Sequence, residues 1–122
     1  MNALELLSPI VAELLREDVR RVLLGEDARQ GGMLGLSRVA VQDAGLAARV
    51  VGAPLTPAAS LAHATGLALA GRRPIVVLPS ATALLEGYAA LRELGRVAAT
   101  SGGERSAPVL IVAPTGPGFG LG

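Results

Sequence analysis

The spacing of apolar residues near the start of the chain is helical. Residues 3–17 place one set of apolar side chains on a common face, namely Leu4, Leu7, Val11, Leu14 and Leu15. Ser8 and Pro9 interrupt this pattern. We expect either a helix that starts near Ser8, with serine as its N-cap and Pro9 in its first turn, or a short turn before the helix.

Four later runs are predicted as strands, namely residues 22–24, 48–51, 74–78 and 109–113. Their apolar residues show no polar alternation, apart from Arg49 in the second run, as in strands buried on both faces of a parallel sheet. Helical patterns separate the later strands. Thr56 and Pro57 suit the start of a helix over 57–70, and Gly71 suits its end. A second helix is predicted over 82–99, with an apolar face of Leu84, Leu85, Tyr88, Leu91 and Leu94.

Strands that alternate with helices predict an α/β protein. We expect a three-layer α/β/α sandwich with a mainly parallel sheet, in a single domain over residues 1–122. A partly helical connector is expected over 37–46, and residues 114–122 read as a Gly- and Pro-rich tail. Ligands of such sheets bind at the carboxyl ends of the strands. Those ends fall at 25–27, 54–56, 79–80 and 114–115.

Composition narrows the chemistry open to this chain. Hydrophobic residues make up 51% and charged residues 17%, which argues against disorder. The chain has no Cys and one His, so a Cys- or His-rich metal site is excluded. Net charge is +1 and aromatics are 2%, so we expect no nucleic-acid partner. The apolar runs are too short for a bilayer and the start lacks a basic signal segment, so we expect a cytoplasmic protein without membrane attachment.

The order of several short motifs resembles a known family. Residues 22–27 read VLLGED and are followed by Gly31 and Gly32. Then come Pro54-Leu55-Thr56, a helix of small residues that ends in AGRRP, the strand IVV, a long helix, SGG at 101–103 and PVLIV at 108–112. This series is similar to the beta subunit of thiamine-diphosphate-dependent 2-oxoacid dehydrogenases, over roughly residues 10–120.

The resemblance implies the pyrimidine-binding domain of the transketolase-like fold. In that family the active site lies between subunits. The beta subunit holds the aminopyrimidine, and the alpha subunit holds the diphosphate and magnesium. Beta subunits pair within an alpha2-beta2 assembly. The helix of small residues packs there against its counterpart, so Ala59, Ala62, His63 and Gly66 are the expected interface residues. The alternative is that this side of the helix packs on the sheet of its own chain.

The chain departs from this family at positions that carry the chemistry. The catalytic Glu, which hydrogen-bonds the aminopyrimidine, is replaced by Pro57, which has no proton to donate. The aromatic residue against the pyrimidine is replaced by Ser80. The catalytic histidine segment and the C-terminal part of the family domain are absent from these 122 residues. We therefore expect no catalytic residue, no metal site and no bound cofactor.

Other candidate residues have two interpretations each. Glu26 or Asp27 could replace the missing carboxylate, and Glu26, Thr56 and Ser80 are the candidate cofactor contacts. Alternatively, Glu26 and Asp27 cap the following turn or pair with Arg29. His63 is expected to be packed or interfacial rather than a ligand. The glycines at 31–32 and 116–118 lack the spacing of a phosphate loop and are interpreted as flexible connectors.

The resulting expectation is a catalytically inactive relative of the beta subunit. It would self-associate as a dimer, or bind a related alpha or beta subunit, in a structural, scaffolding or regulatory role. The alternative is a beta-subunit fragment that another chain completes for the oxidative decarboxylation of a 2-oxo acid with thiamine diphosphate and magnesium. A third possibility is a module that binds another ligand near Thr56 and Ser80.

Overall fold

A computed structural model of the chain describes residues 3–116, apart from the side chains at positions 4 and 5. Within that range, helices and strands alternate after the first helix. The elements are α1 (Ala3–Glu17), β1 (Arg21–Gly25), α2 (Arg38–Gln42), β2 (Val50–Gly52), α3 (Pro57–Leu69), β3 (Arg73–Val77), α4 (Ala83–Glu86), α5 (Tyr88–Thr100) and β4 (Leu110–Val112). The predicted tail is described only as far as Gly116, and the rest of it lies outside the described residues.

The four strands form one parallel sheet in the order β2-β1-β3-β4. Leu23 lies between Val50 and Ile75, and Ile75 lies beside Leu110 on the far strand. Helices flank the sheet on both sides, so the predicted α/β sandwich is confirmed. The strand predicted at 48–51 begins only at Val50, because Ala47–Arg49 form a 3₁₀ turn.

Alternate side chains of the strands build two separate cores. On the first face, Leu23 and Ile75 pack with Val11 and Leu15 of α1 and with residues around α2. On the second face, Leu24 and Val76 pack with α3, α4 and α5, whose contributions include Leu61, Ala64, Ala83 and Leu91. The sheet is buried on both sides, as expected for parallel strands. No helix of residues 3–116 combines the length and apolar character needed to cross a membrane.

Helix α1 does not begin or break at Ser8. It runs from Ala3 to Glu17 with Pro9 inside, so the helix predicted over 3–17 is confirmed, whereas both arrangements expected at Ser8 and Pro9 are wrong. The Ser8 hydroxyl is buried and accepts a hydrogen bond of 3.1 Å from the backbone N–H of Val39. Ser8 therefore holds α2 against α1 instead of capping a helix, and Pro9 lies on the exposed side. Packing of α1 on the sheet outweighs the local preference of proline.

The helix predicted over 82–99 is divided at Gly87 into α4 and α5. A Cβ at Gly87 would lie 2.5 Å from Cδ1 of Leu61, so the glycine allows the close crossing with α3. Gly87 therefore sets the side that faces the core. Leu85 and Tyr88 lie roughly 100° or more from that side and are exposed, so their predicted place on the apolar face is wrong. Leu84 and Leu91 do contact the core.

Arginines hold the elements together at the amino ends of the strands. Nη1 of Arg49 donates to the carbonyls of Leu15 at 2.6 Å, Asp18 at 3.1 Å and Arg21 at 3.2 Å. The bond to Leu15 satisfies a carbonyl in the last turn of α1 that the helix leaves free, and the other two tie Arg49 to the connection into β1 and to the first residue of β1. The Asp18 carboxylate accepts from Arg20 and from Arg73 at the start of β3. Hydrogen bonds from Arg20 hold the pKa of Asp18 well below its usual range, and the charge of Arg73 adds to the effect.

We expect Asp18→Asn to lower the thermal stability near pH 7. The lowered folded-state pKa means that the carboxylate stabilises the fold above its unfolded pKa of about 4, and that this contribution is lost as the pH falls through the folded-state value. The Tm difference between wild type and variant should therefore shrink below about pH 4. Circular dichroism melts from pH 7 to pH 2 measure it, with Glu104→Gln as an exposed control. A constant difference at every pH would contradict this role.

Candidate functional site

At the carboxyl ends of the neighbouring strands β1 and β3, the connections leave toward opposite faces of the sheet. After β1 the chain passes over the first face through α2, and after β3 it passes over the second face through α4 and α5. Neighbouring strands with diverging connections leave a crevice, and ligands of open α/β sheets bind there. The candidate site is therefore the crevice between the strand ends at Gly25 and Val77.

A cavity of ≈ 100 Å³ lies in this crevice. Its lining consists of Glu26, Asp27, Gly32, Met33, Val77, Leu78 and Pro79. Pockets for drug-sized ligands usually measure about 300–1,000 Å³. On its own, this crevice of residues 3–116 therefore has room for a small group rather than for an organic cofactor.

The loop that forms one wall of the cavity is held by hydrogen bonds. The carbonyl of Asp27 accepts from Gln30 at 2.9 Å and from Gly32 at 2.8 Å, and the Ser37 hydroxyl donates to Ala28 at 2.6 Å. Asp27 has a φ of 52°, in the left-handed region that non-glycine residues seldom adopt. A Cβ at Gly32 would lie 2.6 Å from the Ser37 hydroxyl. The glycines at 31–32 therefore belong to defined turns of this wall.

The charged groups of the crevice are acidic. Partial burial raises the pKa of Glu26, and the nearby carboxylates of Asp27 and Glu86 add to the shift. Glu86 is not predictable from the sequence as part of this site, because only the fold brings α4 back to the end of β1. The Asp27 carboxylate makes no capping hydrogen bond, and among the described residues neither Glu26 nor Asp27 forms an ion pair, so the expected side-chain cap and the pairing with Arg29 are wrong. The negative charge of these carboxylates disfavours the binding of a phosphate or another anion in the crevice.

Thr56 and Ser80 do not line the cavity that contains Glu26. The Thr56 hydroxyl accepts from the backbone N–H of Ala59 at 3.2 Å, which confirms its prediction as the N-cap of α3. The Ser80 hydroxyl shares a 2.7 Å hydrogen bond with the hydroxyl of Thr82. Both hydroxyls thus have local partners, and the three candidate contacts do not form one cavity.

The residues of this edge do not fit the aminopyrimidine that the family resemblance implies. Pro57 is buried in the first turn of α3 and has no ionisable group at the position of the family's carboxylate. Ser80 presents no aromatic face. Over residues 3–116, no group of three or more His, Cys, Asp or Glu side chains could hold a metal ion.

The four predicted interface residues lie together on α3. Ala62, His63 and Gly66 are exposed and Ala59 is half-buried, while Ser60, Leu61, Ala64 and Ala68 are buried on the opposite side. A Cβ at Gly66 would meet no atom within 4 Å. We call the set Ala58, Ala59, Ala62, His63, Gly66 and Leu69 the α3 outer face. His63 is not packed inside this chain, so the interfacial interpretation is the one left open.

A scan of the chain against models of known protein families matches none. The resemblance to thiamine-dependent beta subunits therefore stands on the motifs quoted above.

We expect Glu26→Gln to raise the thermal stability at neutral pH. The raised pKa means that the charged carboxylate disfavours the folded state, so stability falls as the pH rises through that pKa. Removing the charge should increase Tm at pH 7–8 and leave it unchanged near pH 3, where the carboxyl is protonated in both states. Thermal melts at the two pH values test this, with Glu93→Gln on α5 as control. A lower Tm at pH 8 would show that the carboxylate has a stabilising partner.

Proposed function

We propose that this chain is a non-catalytic association domain whose α3 outer face binds a second copy, as the basis of a scaffolding or regulatory role. The observation that carries the proposal is the composition of α3. None of its thirteen residues is charged, yet one side of the helix is exposed.

The other long helices have a different surface. Helix α1 exposes Glu13 and Arg16, and α5 exposes Arg92, Glu93 and Arg96. Such charges are usual on the solvent side of an amphipathic helix. Apart from His63, the α3 outer face consists of apolar side chains and a glycine, so it is better suited to a protein partner than to water.

The shape of this face favours a partner helix at short range. Ala58, Ala62 and Gly66 follow one another at four-residue spacing, and Ala59 lies beside them. Small residues at this spacing allow two helix backbones to approach closely, a steric argument developed for membrane helices. In a two-fold symmetric pair, the same patch meets itself and no second surface is required.

The family resemblance supports the same proposal. The corresponding helix of thiamine-dependent beta subunits packs against its counterpart, and the small positions match here at Ala59, Ala62 and Gly66. Pro57 and Ser80 stand where the family needs a carboxyl group and an aromatic ring. The chain thus matches that family in its contact helix and departs from it in its chemistry.

Gly66→Ala should change folding and association in opposite directions. A methyl group at Gly66 meets nothing within the chain, so the variant should stabilise the monomer by up to about 1 kcal/mol through helix propensity. At a close helix crossing the same methyl group should weaken self-association. Sedimentation velocity over a concentration series, combined with urea unfolding, measures both.

Gly95→Ala is the matched control, because Gly95 on α5 also has open space around its Cβ position. It should stabilise the chain and leave self-association unchanged. If both variants associate like the wild type, the α3 outer face is not the interface.

A second variant tests the same crossing with a larger side chain. Ala62→Leu should shift the protein to a smaller species in light scattering, since overpacking at a close contact costs about 1–3 kcal/mol. Ala98→Leu, at an exposed position of α5, is the control and should keep the wild-type mass. An unchanged mass for Ala62→Leu would place the interface elsewhere.

The second candidate function is the completed beta-subunit fragment. Its supporting observation is the sheet edge. Strand β4 pairs with β3 alone among the described strands, and Leu110 is half exposed. An adjacent reading frame that encodes the missing half, together with an alpha subunit, would favour this alternative. Micromolar binding of thiamine diphosphate with magnesium to the purified chain, measured by calorimetry, would also count against a non-catalytic domain.

A further inference from the structure

His63 lies at the midpoint of α3 and on its outer face. It is the seventh of the thirteen residues of this helix, and its side chain is exposed. Residues three and four positions apart are neighbours on a helix surface, so the imidazole lies beside Ala59 and Gly66. Both belong to the small residues that allow a second helix to approach closely. A partner that crosses α3 near its middle therefore contacts the imidazole.

Within the chain, the imidazole has no polar partner. None of the hydrogen bonds and ion pairs that join residues 3–116 involves the side chain of His63. Helix α3 itself carries no charged residue. A positive charge on His63 is therefore not stabilised by any carboxylate of the α3 outer face.

Helix α5 packs against another side of α3. It carries Arg92, Glu93 and Arg96, and Arg96 pairs with Glu93 at 3.5 Å. Leu69 of α3 lines a cavity together with residues of α5. At 100° per residue, Leu69 and His63 lie about 120° apart around the helix. The charges of α5 are therefore on the side of Leu69, away from the imidazole.

The other charged groups around α3 lie near its ends. Those on α4, β1 and β3, and in the connections that follow α3 and α5, are Arg21, Arg72, Arg73, Glu86, Glu104 and Arg105. Arg21 and Arg73 have ion-pair partners at the amino ends of the strands, and Glu86 lies toward Glu26 at the carboxyl ends. His63 is six residues, or about 9 Å, from either end of α3. That distance is close to the screening length at physiological salt, so these groups affect the imidazole weakly.

Association through the α3 outer face would bury two imidazoles at one contact, because each copy contributes its own His63. Burial among small apolar residues disfavours the charged imidazolium, and no nearby carboxylate offsets this cost. Two imidazolium groups at the same contact also repel each other. The neutral ring carries neither cost. Association therefore favours the unprotonated chain, and by linkage protons oppose association.

We propose that protonation of His63 separates two copies joined through the α3 outer face, so that the pair is stable above about pH 7 and dissociates below about pH 6. The proton adds to the ring nitrogen that carries none in the neutral imidazole. This inference rests on the proposed function, because it concerns regulation of the same face. It gives the association domain a response to acidification that needs no further ligand.

Sedimentation velocity over a concentration series at pH 8 and pH 5 tests the proposal. The dissociation constant of the natural chain should rise at least about tenfold at pH 5, since each of two imidazoles contributes up to about tenfold per pH unit. His63→Gln has a neutral side chain at both pH values and should associate equally at both.

A second variant introduces the charge without a change of pH. His63→Arg should associate at pH 8 as weakly as the natural chain does at pH 5, because arginine stays charged throughout this range. Ala98→Arg, at an exposed position of α5, is the matched control and should associate like the natural chain. Circular dichroism at both pH values checks that each chain is folded.

The outcomes separate this inference from the proposed function. Equal association of the natural chain at the two pH values would overturn the inference alone. It would also be overturned by equal pH dependence in His63→Gln, by a His63→Gln chain that is monomeric at pH 8, or by a His63→Arg chain that associates like the natural one. A natural chain that is monomeric at pH 8 would contradict the proposed function, and the inference with it.

Discussion

Coverage of both faces of the parallel sheet is the constraint on which this structure depends. Leu23 and Leu24 are neighbours on β1, point to opposite faces and are both fully buried. Neither face can therefore be left to water, and helices must lie on both. This requirement explains the placement of α1 and α2 on one side and of α3, α4 and α5 on the other. The α3 outer face lies on the far side of this cover, and its composition does not suit solvent.

The sequence predicts the fold well because its strongest signals are local. Continuous apolar runs locate the strands, and Thr56 with Pro57 locates the start of α3. The errors arise where distant residues decide the outcome. Pro9 stays inside α1 because the packing of this helix on the sheet outweighs the local preference of proline. Leu85 is exposed because Gly87 is the residue that lies against Leu61 of α3. For the same reason, Glu86 is absent from the sequence-based site, since it approaches Glu26 only through the packing of α4.

The crevice at the carboxyl ends of the strands and the outer face of α3 differ in size, charge and exposure. The crevice at the edge is small and acidic, and its hydroxyls at Thr56 and Ser80 have local partners. The α3 outer face is uncharged and largely exposed, and a Cβ at Gly66 would meet no atom within 4 Å. This contrast, which is independent of the family resemblance, supports association rather than catalysis as the function of the isolated chain.

Sedimentation equilibrium of the unmodified chain tests the central claim most directly. If a second copy covers the α3 outer face, the measured mass should rise with concentration from the chain mass of 12.3 kDa toward twice that value. A mass that stays at 12.3 kDa up to concentrations on the order of a millimolar would contradict it. The free energy of association would then be weaker than about 4 kcal/mol, the value that corresponds to a millimolar dissociation constant.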